Sequence, residues 1–548
     1  MTAPLDLRDI QGNIVRAYGR YGFPHARYFL FHFDDGAAGR RAVLDLLPLV
    51  TTAERWSSAP DGLDRAGIER PKVALNLAFT WLGLLALEVP IATLIQFPPE
   101  FIEGMAARAP ILSDIGPSGV EYWDPVWRRA ATGADGAAIH MQVSLNAQMQ
   151  ADATPVPELD RLTDQLRRIG EGLGVRLLAG HGQAGADYQQ AGARMIPMPD
   201  GTLIPDAKEH FGFEDGIGDP VFAGQYAPEE ENLRVRGRGK LMPDQTWQPL
   251  ATGEFLFGYT DESQELTHVV QPPGFLKNGT FMVFRKLHEN VRTFDDYVAG
   301  QSRLYAQVNG IPEDEANLTL RAKMVGRWPN GVPLMVAPTR ADMLRFDAQW
   351  ADIPALQAKS GRRTGAEDAR LAEYDRLLIE FRFRDDPLGV RCPISAHIRR
   401  GNMRDMLDPR LTSPNPRDWD GSATTNRRRI LRRGLPYGPF DPPENEDSVE
   451  RGVIFKVLCA DLFRQFEFVL QQWINFGLDF NAGNDTCPLL GRHHGDAKFV
   501  IQADPEGEAT PWIMNGLPQF VATRGGEYLF VPGINTLTMI AEGLVDPT

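Results

Sequence analysis

Two rhythms of apolar and polar positions recur along the chain. From His25 to Phe33 the short, aromatic-rich run HARYFLFHF predicts a strand, and from Ala37 to Val50 the apolar positions fall at helical spacing. The same order returns later, where NGTFMVFRKL, Asn278 to Leu287, precedes a helical pattern over Val291 to Tyr297. The echo predicts an α+β chain built from two related units, each with its own sheet. Gly, Pro and charged residues cluster between Ala223 and Thr252, which places the boundary between the units there.

The most apolar stretch runs from Val73 to Phe97 and is interrupted by Asn76, Thr80, Glu88 and Pro90. The interruptions predict a core helix followed by a loop, against a membrane span. Three polar, turn-rich segments, Asp342 to Arg370, Asp405 to Arg427 and Asp479 to Asp504, read as insertions or surface loops of the kind that shape access to a site.

With 548 residues the chain is longer than one ordinary domain, so two domains or one with long insertions are expected. Hydrophobic residues at 43% and charged residues at 24% are those of a globular protein and exclude general disorder. The formal charge of −15 excludes a general polyanion binder, because nucleic-acid binding depends on Lys and Arg neutralising phosphates. Against that background, arginines crowd between Arg391 and Arg433, most of them as solvated surface and a few suited to an anionic ligand. Cys392, Cys459 and Cys487 make neither a disulfide framework nor a Cys-x-x-Cys zinc pair, which points to a reducing compartment. The opening MTAPLDLRDIQGN has no basic start with an apolar run and no twin-arginine pair, so a soluble, cytoplasmic protein is expected.

Three segments carry candidate chemistry. HFGFEDGIGDP, His210 to Pro220, sets Asp215 in a Gly-x-x-Asp-Gly frame; AHIRRGNMRD contains His397; RRRILRRGLPYG contains Arg432. Taken singly, Asp215 reads as an acidic turn, His397 as a satisfied structural histidine and Arg432 as one more surface arginine. A calcium loop at Asp215 is excluded by the lack of a bidentate glutamate at EF-hand spacing.

The order of the three segments along one chain resembles the dye-decolorizing peroxidase family, which is haem-dependent. The resemblance extends to DIQGNIV, LNLAFTWLGLLAL, NGTFMVFRKL and GGEYLFVPG, and therefore covers most of the chain. It implies two ferredoxin-like domains with antiparallel sheets, residues 1–235 and 236–548, and a haem between them in a dimeric α+β barrel-like arrangement. The polar segments place the chain with the longer, non-exported members. The chain departs from the family pattern at Gly401 and Met403, close to the histidine.

What the resemblance implies about the site is specific. His397 is the axial ligand of one haem b per chain, Asp215 the base that takes a proton from hydrogen peroxide, and Arg432 the cation that stabilises the departing oxygen. Glu467 in Phe466-Glu467-Phe468 is the implied carboxylate behind His397, and Arg399 and Asn402 are implied contacts of the haem edge. A thiolate from Cys392 or Cys487 competes as axial ligand, with buried, inert cysteine the plainer reading of both. A carboxylate, with an ordinary pKa of about 3.9, stays ionised where histidine, near 6.5, is protonated, so peroxide activation is expected to favour acid.

The implied activity is peroxide-driven oxidation of dyes, phenols or other one-electron donors through a ferryl intermediate. The alternative is a haem-binding or haem-delivery protein with incidental turnover, which would need His397 and a pocket but not Asp215 and Arg432. Trp419, Tyr437 and Trp473 are candidates for carrying electrons to large substrates, though most aromatics are core. His493-His494 with Asp496 reads as exposed loop, since it lacks a full metal-ligand set, and the sequon at Asn278 is discounted because it falls at a strand start. Oligomeric state and the physiological reductant are not written in the sequence.

Overall fold

The run HARYFLFHF forms β1, His25–Phe33, in the computed structural model of the protein, which describes residues 4–57, 67–198, 200–206, 208–359, 363–442, 444–504 and 508–547. A helix, α1, Gly36–Leu46, follows it, capped by the Asp35 side chain accepting from the Ala38 N–H. Then come β2, Val73–Phe79, and β3, Met141–Ala147, then α2, Glu158–Gly170, and β4, Val175–Leu177. This is the β-α-β-β-α-β order of a ferredoxin-like unit, and its strands lie in the sequence β2-β3-β1-β4 across the sheet.

The second unit repeats the plan. Its strands are β5, Thr280–Glu289, β6, Leu431–Arg432, β7, Gly452–Cys459, and β8, Val521–Val531, and they lie in the order β6-β7-β5-β8. A long helix, α3, Val291–Asn309, follows β5 and runs well beyond the Tyr297 that the periodicity marked. The expected boundary region falls in the stretch between the two sets of strands. The pairings along the path are antiparallel, and a single pair, Phe530 of β8 with Phe79 of β2, joins the halves into one ten-stranded sheet. The sequence echo did not disclose that the two sheets are continuous.

One core runs the length of that sheet, and a second, built on Trp328, Phe294, Val298 and Phe520, sits under the helices of the C-terminal half. Two expectations need correction. VALNLAF is the strand β2 and not the start of a core helix; a central strand covered on both faces is apolar throughout and loses the alternation that marks a half-buried one. Its continuation is helical in Trp81–Ala86 and Ile91–Leu94. The polar segment from Asp342 is likewise helical, in Arg340–Gln349, Ile353–Ala358 and Gly365–Ile379, with residues 360–362 outside those described. Capping boxes at Thr339 with Asp342 and at Thr364 with Glu367 start two of these helices, so local hydrogen bonds specify what apolar periodicity does not. No helix among the described residues is long and apolar enough to cross a membrane.

Candidate active site

Alternation along β5 turns Arg285, Leu287 and Glu289 to one face of the sheet, and the cross-strand register sets Phe455, Val453, Thr523 and Val521 beside them. These side chains floor a cavity of about 260 Å³ between the sheet and the helices of the C-terminal half. The helical wall comes from wide, π-helical turns, Leu462–Glu467 and Val469–Ile474, which contribute Phe466, Val469, Leu470 and Ile474. Asp215, His397 and Arg432, from three distant parts of the chain, all border this one cavity.

Arg432 is set by strand pairing. Leu431 and Arg432 are in register with Leu458 and Val457 of β7, so Leu431 turns into the core and Arg432 turns to the cavity. Two carboxylates hold the guanidinium: Nη1 donates to Oδ1 of Asp215 at 2.5 Å, and Nε donates to Oδ1 of Asp219 at 3.2 Å. Burial works against the charge on Arg432, but Asp215 and Asp219 outweigh it and raise its pKa above the usual arginine value. Arg433 turns inward to the carbonyls of Asn13 and Ile14, so Arg432 is the arginine that meets Asp215.

The Asp215 loop is shaped by Glu209, whose carboxylate accepts from the N–H groups of Phe211 and Phe213 at 2.6 and 2.8 Å. Gly212 and Gly216 take φ values of +91° and +77°, which glycine adopts without a Cβ clash. Oδ1 of Asp215 accepts from the Gly216 N–H at 2.7 Å, yet 37% of the side chain stays exposed at the cavity. Deeper in the wall, the partly buried Glu209 lies beside the buried Glu289. Burial pushes the Glu209 carboxyl up to about 7, and burial together with Glu209 raises Glu289 well above the usual range.

His397 opens the short helix α4, His397–Gly401. Its ring is partly exposed although the helix is enclosed, because it faces the cavity, and its Nε2 has no hydrogen-bond partner among the described residues. Asp215 and Arg432 border the same cavity as this ring.

Three of the residues named from the sequence come together, and others do not. The carboxylate expected behind His397 is absent from that place: Glu467 is fully buried and binds Arg108 at 2.5 and 2.7 Å and the Tyr528 hydroxyl at 2.8 Å. His397 Nδ1 instead lies 3.4 Å from Sγ of Cys487. Arg399 points away from the cavity, its guanidinium bonded to Asp386 and to the carbonyl of Cys392. Asn402 does border the cavity, donating to the Gly218 carbonyl at 3.4 Å with its Oδ1 unpartnered. Cys392 is buried, and burial pushes its thiol up to about 11. His493 is buried rather than exposed, with both ring nitrogens on carbonyls, and no group of three or more metal-ligating side chains was found among the described residues. Asn278 is buried against Asp9 and Tyr259.

No family model matches the chain. A dye-decolorizing peroxidase of Mycena epipterygia is 27% identical over 565 residues, covering 98% of this chain and 87% of the relative. A multifunctional dye peroxidase of Amycolatopsis is 24% identical over 560 residues, covering 96% and 94%. A solved fungal dye-decolorizing-type peroxidase from Auricularia auricula-judae superposes with a TM-score of 0.67 at 24% identity, over the full length of both chains. Over nearly its whole length the chain is similar to dye-decolorizing peroxidases. Another solved dye-decolorizing peroxidase, a complex with 2,6-dimethoxyphenol, matches with a TM-score of 0.66 at 23% identity over 98% of this chain and 100% of that one. These solved structures share the fold over nearly the whole of this chain.

The cavity suits the haem of a dye-decolorizing peroxidase. Leu287, Val453, Phe455, Ile474, Leu489 and Val521 supply apolar surface for a flat macrocycle, and Nε2 of His397 is free to bind iron. Arg285 borders the cavity, is 4% exposed, and keeps Nε and Nη1 without partners, which suits a cofactor that carries carboxylates. Neither Arg285 nor Asp219 was singled out from the sequence. Asp219 stands within the quoted HFGFEDGIGDP but has no pattern of its own, and Arg285 sits inside a strand that reads as core.

Proposed function

We propose that this protein is a haem b peroxidase that uses hydrogen peroxide to oxidise phenols, dyes or other one-electron donors. The observation that carries the reading is the Asp215–Arg432 pair facing the free imidazole edge of His397 across one cavity. His397 would hold the iron through Nε2, and Arg285 would meet the cofactor's carboxylates. When bound, haem supplies the electrons that divide the O–O bond and then takes electrons one at a time from the reductant.

The residues supply the rest. Asp215, exposed to the cavity, would accept a proton from hydrogen peroxide and return it to the oxygen that leaves as water. Arg432 would place a fixed positive charge where the departing oxygen becomes negative. Asp219 keeps Arg432 in place through Nε, so the guanidinium does not reorganise during the step. The apolar walls limit water around the reacting oxygens. Asn402 is proposed as a contact of the cofactor edge. Phenols are proposed as reductants because the related dye-decolorizing peroxidase binds 2,6-dimethoxyphenol. A reducing, cytoplasmic setting is proposed from three buried free cysteines.

The test is an absorption spectrum of haem-reconstituted protein beside His397→Ala, before and after one equivalent of hydrogen peroxide. A Soret band that depends on His397 and changes with peroxide supports the reading. A band that ignores peroxide would favour a haem carrier, and no band at all would remove haem from the account.

A further inference from the structure

Cys487 occupies the place behind His397 where a carboxylate is expected. We propose that Cys487 is a positioning residue for the axial histidine, its Sγ accepting the hydrogen bond from Nδ1–H; the proposal rests on the haem reading above. The Nδ1 to Sγ separation is 3.4 Å, within hydrogen-bonding range for sulfur. No carboxylate contacts the ring among the described residues. Glu467 is spent on Arg108 and Tyr528, and Asp485, two residues before the cysteine, faces Lys498 at 3.7 Å.

The sulfur is held there by its surroundings. Cys487 is fully buried, its N–H donates to the Ile474 carbonyl at 2.7 Å, and its carbonyl accepts from the Gly491 N–H at 2.9 Å and lies 3.0 Å from His493 Nε2. His493 is anchored in turn by the Pro518 carbonyl at 2.6 Å. Arg400, three residues after His397, ties α4 to the same loop by donating to the carbonyls of Trp473, Phe476 and Asp485. Helix and loop are thus fastened to each other, with the imidazole and the thiol between them.

Two consequences follow for the ligand. Donation from Nδ1 fixes the tautomer in which Nε2 carries the lone pair that binds iron. Sulfur is a weak acceptor, so the imidazole gains less negative character than a carboxylate partner would give it, and the ferric state is stabilised less. The haem of this chain therefore has a higher Fe(III)/Fe(II) midpoint potential than a carboxylate-backed version of the same site.

The experiment compares haem-loaded wild type with Cys487→Asp, Cys487→Ser and Cys487→Ala, reading the midpoint potential and the ferrous iron–histidine stretching frequency. Cys487→Asp is expected to lower the equilibrium constant for reduction at least ten-fold, about 59 mV for one electron, and to raise the stretching frequency. Cys487→Ala is expected to lower that frequency, with Cys487→Ser, which keeps size and a polar atom, between wild type and aspartate. Unchanged potential and frequency in both the aspartate and alanine proteins overturn the proposal. So does a thiolate-ligated spectrum in wild type that Cys487→Ala abolishes, since Cys487 would then bind iron itself. Absence of haem binding in wild type would instead refute the haem reading, and the Soret band separates the two failures.

Discussion

Asp219 binds Arg432 through the guanidinium Nε at 3.2 Å and also accepts from its backbone N–H at 3.4 Å, which fixes the side chain that reaches Asp215. Because Asp219 also takes Arg433 Nη1 at 3.2 Å, one carboxylate sorts the two neighbouring arginines, sending one to the cavity and one to the core. Asp219→Asn should leave the Soret band in place and lower the rate of reaction with peroxide by roughly a hundred-fold, the scale on which small misplacements of a reacting group are felt. Stopped-flow mixing with hydrogen peroxide measures it, and a wild-type rate would show that Arg432 is positioned without Asp219.

Arg432 acts through a directed charge and not through charge alone. Arg432→Leu is expected to slow peroxide activation by about 10²–10³-fold. Arg432→Lys should restore only part of the loss, because a lysine cannot bridge Asp215 and Asp219 as the guanidinium does. Full recovery in the lysine protein, measured as second-order rate constants for peroxide, would contradict this.

Glu467 is structural in this account. Removing it takes away the buried partner of Arg108 and leaves only the half-exposed Glu103, so Glu467→Ala should destabilise the protein by up to about 3–5 kcal/mol. The iron–histidine stretching frequency of the surviving folded fraction should stay at the wild-type value. A shifted frequency would return Glu467 to the proximal side.

The Glu209–Glu289 pair makes stability depend on pH. Both carboxyls titrate higher in the folded protein than in the unfolded chain, where glutamate is near 4.3, so the folded state holds protons that the unfolded state releases. Their contribution is complete below about 4.3 and falls as pH rises through about 7, the folded value of Glu209. Glu527, also pushed up to about 7 by burial, titrates in the same window, so the test is the difference between wild type and Glu209→Gln. Thermal midpoints from pH 4 to 8 should decline less steeply in the glutamine protein, and identical slopes would exclude the pair as a source.

The parts of this molecule that were legible in the sequence are those whose signal is local. HARYFLFHF is β1 from first residue to last, and the strand and helix after Asn278 are where the echo put them. The three segments bearing Asp215, His397 and Arg432 meet at one cavity as their order implied. What was missed depends on tertiary surroundings. β2 lacks alternation because both its faces are covered, and the helices after Thr339 are set by caps on a weakly patterned, polar stretch. Cys487 is separated from His397 by 90 positions and Asp219 from Arg432 by 213, so nothing in either local sequence announces the contact. Arg399 and Glu467 were placed by analogy with a motif, and the structure turns both into buried ion pairs.

The most direct test of the central claim is the second-order rate of peroxide reaction with haem-loaded wild type and Asp215→Asn, both shown by their Soret bands to keep His397 on the iron. The asparagine protein, which retains a hydrogen-bonding amide beside Arg432 but cannot take the proton, is expected to react at least a hundred-fold more slowly, roughly the range of a lost general base. Equal rates would mean that another group accepts the proton, and the role assigned to the Asp215–Arg432 pair would fall.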